Sequence, residues 1–152
     1  MEYEYAYFGL VSESEVFDLF SAELDGFQLN SEGDSRIFES GTRIKIQITP
    51  RLDPHSEFRK LFSDFSESIS RLSPELASPL NLPESQPLAE LENLHWYEFG
   101  QNSASPGADA LLFRLKNELV YKCGGLALEY GSLAVTVSDL EGNSEPFTEY
   151  LI

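Results

Sequence analysis

A single cysteine, Cys123, among 152 residues rules out an intramolecular disulfide and with it the cross-linked scaffolds of small secreted domains. No stretch approaches the roughly 18 to 20 consecutive apolar residues of a membrane-spanning helix, and the opening Met1-Glu2-Tyr3-Glu4-Tyr5 has neither a basic segment nor an apolar run of signal length. The chain therefore reads as a cytoplasmic protein that does not engage a membrane. Histidine is scarce, with only His55 and His95, which leaves little material for acid–base or metal chemistry. Glycine-rich phosphate loops and the Gly-x-Ser-x-Gly turn of esterases are both missing, so no cofactor and no catalytic residue is predicted.

Basic residues are also few. Ten Lys and Arg stand against 26 Asp and Glu, giving a formal charge of −16 with no acidic tail. Such a field opposes approach to nucleic acid or an anionic membrane, and it draws basic partners inward. Yet aliphatic and aromatic residues make up 41% of the chain, enough for one ordinary core at this length, so residues 1–152 read as one domain.

Residues 2–10 alternate Tyr3, Tyr5 and Tyr7 against Glu2, Glu4, Ala6 and Phe8, the period of a strand with one aromatic face. Ser12 and Glu15 form a capping-box pair ahead of Val16, Phe17, Phe20 and Leu24 at helical spacing, and Gly26 supplies the stop. Residues 36–39 and 42–49 read as a hairpin turning at Ser40-Gly41. Asp53 as cap and Pro54 at the first position open a long helix whose apolar stripe is Phe58, Leu61, Phe62, Phe65, Ile69 and Leu72. Pro74 ends it. Four prolines (74, 79, 83 and 87) then predict an extended loop, followed by a short helix over 87–94 and an aromatic strand over 95–99. A second loop spans 100–107. Residues 108–123 suit a helix better than a hairpin, because Ala108, Leu111, Leu112, Leu115, Leu119 and Cys123 share one helical face. A closing hairpin over 126–129 and 133–138 precedes a short tail.

The order strand, helix, hairpin occurs twice. It predicts an α+β fold, a mixed or antiparallel sheet with helices on one face, built as two tandem βαββ modules at 1–50 and 88–140 joined by the helix and Pro-rich loop of 51–87. By element order this is similar to the GyrI-like ligand-binding proteins, which implies an aromatic, acidic cleft for cationic hydrophobic compounds. The aromatic residues of the two leading strands, with their neighbouring carboxylates, are the predicted binding residues: Tyr3, Glu4, Tyr5, Tyr7, Trp96, Tyr97 and Glu98. Tyr and Trp serve where a ring is packed and its polar tip is wet.

Three functions compete. An acidic, motif-free chain suits an inhibitor of a basic protein, in the manner of bacterial immunity proteins and antitoxins. A small cationic hydrophobic ligand is the second candidate, and an enzyme assembled from distant residues is the third. Glu92 and His95 have the Glu-x-x-His spacing of di-metal carboxylate bundles, but such sites need two copies, so no metal is predicted.

Overall fold

The computed structural model describes residues 2–41, 44–77, 93–102, 106–130, 134–138 and 144–151. Its elements are β1 (Glu2–Gly9), α1 (Glu13–Glu23), β2 (Gln28–Glu32), β3 (Ser35–Ser40), β4 (Ile44–Arg51), α2 (Pro54–Leu72), α3 (Pro74–Ala77), β5 (His95–Gln101), α4 (Pro106–Cys123), β6 (Leu126–Tyr130), β7 (Ala134–Ser138) and β8 (Ser144–Leu151). The strands form one sheet in the order β2-β3-β4-β5-β1-β6-β7-β8, and every neighbouring pair is antiparallel. The fold is α+β.

The two leading strands meet at the centre. β1 pairs with β5 from Glu2↔Gln101 to Gly9↔His95, so each is flanked by a strand of the other half. Alternation along β1 then feeds two cores. Tyr5 and Tyr7 join Ile46, Ile48, Tyr97 and Phe99 beneath α1 (Val16, Phe20) and α4 (Leu112, Leu115, Leu119). Ala6 and Phe8 point the other way, with Leu126 and Leu128, against Phe58, Leu61, Phe65 and Ile69 of α2.

Helices therefore cover both faces, where the sequence predicted one. The connections explain the division. Counting antiparallel steps makes β1 parallel to β2 and β5 parallel to β6, so α1 and α4 are crossovers between parallel strands. They run in opposite directions across the sheet from antiparallel starting strands. A shared handedness then places both on the same face. α2 joins the antiparallel neighbours β4 and β5, escapes that rule, and fills the vacant face.

The predicted repeat holds as element order, with one more strand in each half: β-α-β-β-β occurs twice. The threading differs. α1 leads to the outermost strand β2 and the chain returns inward, whereas α4 leads to β6 beside the centre and the chain moves outward. β2 escapes sequence inspection because all five side chains of Gln28–Glu32 are exposed, leaving no apolar period. β8 replaces the expected tail. The helix predicted over 108–123 is present and begins two residues earlier, at Pro106, and Ser12 accepts the Glu15 backbone N–H as predicted. The Pro-rich segment begins with the short helix α3, while its remainder, and residues 87–92 of the predicted short helix, lie outside the described residues. Asp53 does not cap α2 with its side chain. It sits in the left-handed region at φ 56° and ψ 51°, which costs on the order of 1 kcal/mol or more for a residue with a Cβ.

A knot of polar contacts fastens the end of α2 to the sheet. Ser73 Oγ donates to Gly125 O and lies 3.1 Å from it, while Glu75 Oε1 accepts the Gly125 N–H at 3.0 Å. Tyr7 donates to Gly124 O at 2.6 Å. Gly125 has φ +91°, and a Cβ there would collide with the Phe8 carbonyl. Gly26 has nearly the same φ, +88°, with open space around it. Gly26→Ala is expected to cost about 1–2 kcal/mol from backbone strain alone. Gly125→Ala should cost clearly more, because the Phe8 strand must also shift. Equal urea midpoints for the two variants would show that the collision is absent.

Candidate functional site

Three of the predicted binding residues are core. Tyr5, Tyr7 and Tyr97 are 5%, 0% and 1% exposed. Tyr5 stacks on Phe99 with centroids 5.3 Å apart, and Tyr7 stacks on Tyr97 at 6.4 Å. They fill the seam between β1 and β5, and Tyr97 also borders a cavity. Burial is the first cause of the upward shift in all three phenol pKa values, and neighbouring carboxylates or polar groups add to it.

Tyr3 leaves this row. Tyr3 pairs with Gly100 and Tyr5 with Phe99, so Glu4 is an extra, bulged residue. A bulge inverts the alternation, and Tyr3 emerges on the α2 face. There its hydroxyl meets Thr49 Oγ1 at 2.7 Å, and Thr49 also contacts Ser35 Oγ at 2.8 Å. The Arg51 guanidinium lies over the Tyr3 ring at 4.8 Å and donates to Glu98 Oε1 at 2.7 Å. Glu98 in turn accepts from Tyr130, whose pKa is raised chiefly by burial and then by that carboxylate. Tyr3 and Glu98 are thus brought together in a satisfied network that latches β1, β4, β5 and β6. Glu4 is half-buried, and Trp96 is half-buried with its ring stacked on Phe8 at 5.7 Å and 5°.

A cavity lies at the corner where β4 turns into α2. It encloses about 180 Å³ between Glu13, Pro50, Leu52, Asp53, His95 and Tyr97, with Arg51, Pro54, Leu94 and Trp96 completing the wall. His95 stacks on Tyr97 at 6.3 Å. The Tyr97 hydroxyl and Trp96 Nε1 are buried and have no hydrogen-bond partner among the described residues. Glu13 is near enough to raise the Tyr97 pKa, second to burial. The left-handed Asp53 sits on the rim, and Leu52 beside it is 85% exposed. Sequence inspection missed Glu13, Leu52 and Asp53, which come from two segments some forty residues apart.

Residues 11–35 form the second feature. They contain Glu13, Glu15, Asp18, Glu23, Asp25, Glu32 and Asp34 and no Lys or Arg. Glu23 is paired with Arg114 and Lys122 of α4; the other six are exposed. They run from the corner cavity, along α1, to the β2–β3 turn at the open edge of the sheet.

Cys123 does not line the cavity with His95, and burial pushes its thiol pKa up, away from a reactive thiolate. No group of three or more His, Cys, Asp or Glu among the described residues could hold a metal ion, and no helix is long and apolar enough to cross a membrane. Lys116, wholly buried, packs over the Phe113 ring at 4.2 Å and faces Tyr5 and Glu129; burial lowers its pKa despite Glu129. No protein-family model, curated protein or solved structure matches this chain.

Two tyrosines of one stack separate the roles of their hydroxyls. Tyr7→Phe leaves the Gly124 carbonyl without its donor and should cost about 1–3 kcal/mol. Tyr97→Phe removes a buried hydroxyl that has no partner among the described residues, and should leave the urea midpoint unchanged or raise it.

Alkaline pH gives a second test. Tyr5, Tyr7, Tyr97 and Tyr130 all have raised folded-state values, so the native state holds protons that the unfolded state releases. Their contribution is complete below about pH 10, the ordinary phenol value, and is lost as pH rises further. The Cys123 thiol acts with the same sign from a lower pH, and Lys116 opposes both. Stability should fall above about pH 10, and these four of the seven phenols should ionise in the ultraviolet only as the chain unfolds. Ionisation of all seven without unfolding would contradict the burial.

Proposed function

We propose that this protein is a non-catalytic binding protein that captures and neutralises a basic protein partner, with α1 and the β2 edge as its docking margin. The observation that carries the reading is the run of six exposed carboxylates over residues 11–35, uninterrupted by a basic side chain, beside an edge strand whose five side chains are all exposed. Clustered like charge raises the encounter rate with a complementary patch by tenfold or more at low salt. The edge backbone adds unpaired N–H and C=O groups to which a partner segment can bond. Leu29, the second residue of β2 and 49% exposed, supplies an apolar contact within the acidic border.

A small cationic hydrophobic ligand remains the second reading, and the corner cavity is its site. The size of that cavity weighs against it, since about 180 Å³ is below the roughly 300–1,000 Å³ of pockets that enclose whole ligands.

Charge reversal tests the first reading. The Asp18→Lys/Asp25→Lys variant should lose roughly tenfold or more in association rate with the partner isolated from source cells. The matched Asp64→Lys/Glu67→Lys variant on α2 should bind as the parent does. Raising salt toward 1 M, where the screening length falls to about 3 Å, should abolish the difference. Equal loss in both variants would mean unspecific attraction, and no loss in either would end the proposal.

A further inference from the structure

The corner cavity has the chemistry of a receptor for one side chain. Its rim carries two carboxylates, Glu13 and Asp53, neither of which forms an ion pair among the described residues. The cation in its wall, Arg51, is already committed to Glu98 and to the Tyr3 ring. The stacked pair His95 and Tyr97 forms part of its wall, and Pro50 and Leu52 add apolar surface to the lining. Tyr97 is 1% exposed, and its hydroxyl is an oxygen that nothing satisfies among the described residues. A buried polar atom left in that state costs about 1–3 kcal/mol unless an occupant meets it. The backbone beside it is held in the left-handed region at Asp53, the kind of local strain that collects at binding sites.

We infer that the corner cavity receives a single arginine side chain of the basic partner, its guanidinium held between Glu13, Asp53 and the Tyr97 hydroxyl and its methylene stem lying on Leu52 and Pro50. The inference rests on the proposed function and names the anchor of that interface. Arginine fits each element of the site. Its planar head stacks on aromatic faces, its several N–H groups satisfy two carboxylates and a phenol oxygen together, and it is less strongly hydrated than lysine. Leu52, whose exposure would serve no purpose in the free chain, becomes covered. Glu13 belongs both to this cavity and to the acidic margin of α1, so the anchor lies at one end of the steering surface. Arginine at the centre of an interface, surrounded by contacts that exclude water, is a common hot spot.

Trp96, the only tryptophan, lines the cavity and reports its occupancy. Titrating the full chain at constant ionic strength with N-acetyl-arginine amide should change the tryptophan fluorescence saturably. N-acetyl-citrulline amide, its uncharged isostere, should not. Free arginine, whose own carboxylate is repelled by Glu13 and Asp53, should bind more weakly than the capped form. Glu13→Gln/Asp53→Asn should weaken the capped arginine roughly tenfold, and Tyr97→Phe should weaken it without lowering the urea midpoint. An equal response to citrulline, tighter binding of free arginine, or no saturable response would overturn the inference. Because the probe is a capped amino acid, its failure leaves the charge-reversal result on α1 untouched, and the two readings fail separately.

Discussion

The antiparallel pairing of β1 with β5 is the constraint on which the rest of the molecule depends. It inserts the first strand of each half beside a strand of the other, so neither half owns a complete sheet. It also fixes which residues face which core. The Tyr5 and Tyr7 side chains pack beneath α1 and α4, while Ala6 and Phe8 pack against α2. A slip of one residue along β1 would exchange these sets between the two cores. Two parallel crossovers leaving that central pair in opposite directions put α1 and α4 together, and α2 is left to cover the other face.

The electrostatic character follows from how the helices are used. α1 turns Val16, Leu19 and Phe20 inward and presents Glu13, Glu15 and Asp18 to water. Its one half-buried carboxylate, Glu23, holds α4 through Arg114 and Lys122. Exposed pairs of this kind contribute little stability each, and Glu13, Glu15 and Asp18 leave the outward face of α1 strongly acidic. The tyrosines serve the opposite purpose. They weld the central seam, and the aromatic character of the leading strands is a property of the core.

Much of the architecture was legible in the residues. Periodicity marked β1, α1, β4, α2, β5 and, against a competing hairpin pattern, α4; the capping signal at Ser12 lies where the structure uses it, while Gly26 serves the turn from Leu24 to Phe27, after the helix has ended at Glu23. β2 was hidden because an edge strand exposed on every side has no apolar alternation. The face of Tyr3 was hidden because the bulge at Glu4 is a matter of pairing with Phe99 and Gly100, a hundred residues away. Asp53 bears the residue type of a helix cap and serves as a left-handed corner instead. The corner cavity could not be read at all, since it joins Glu13 to residues 50–54 and 94–97 only after the sheet has formed. The acidic run of 11–35 was present in the residues throughout, concealed by a uniformly acidic chain.

Native-state hydrogen exchange followed residue by residue tests the central pairing most directly. If β1 and β5 lock the two halves together, the backbone amides of residues 5–8 and 96–99 exchange last and together, through global unfolding alone, while those of β2 exchange through local opening. Amides of β1 and β5 that exchange in separate steps, each with its own half of the chain, would contradict it.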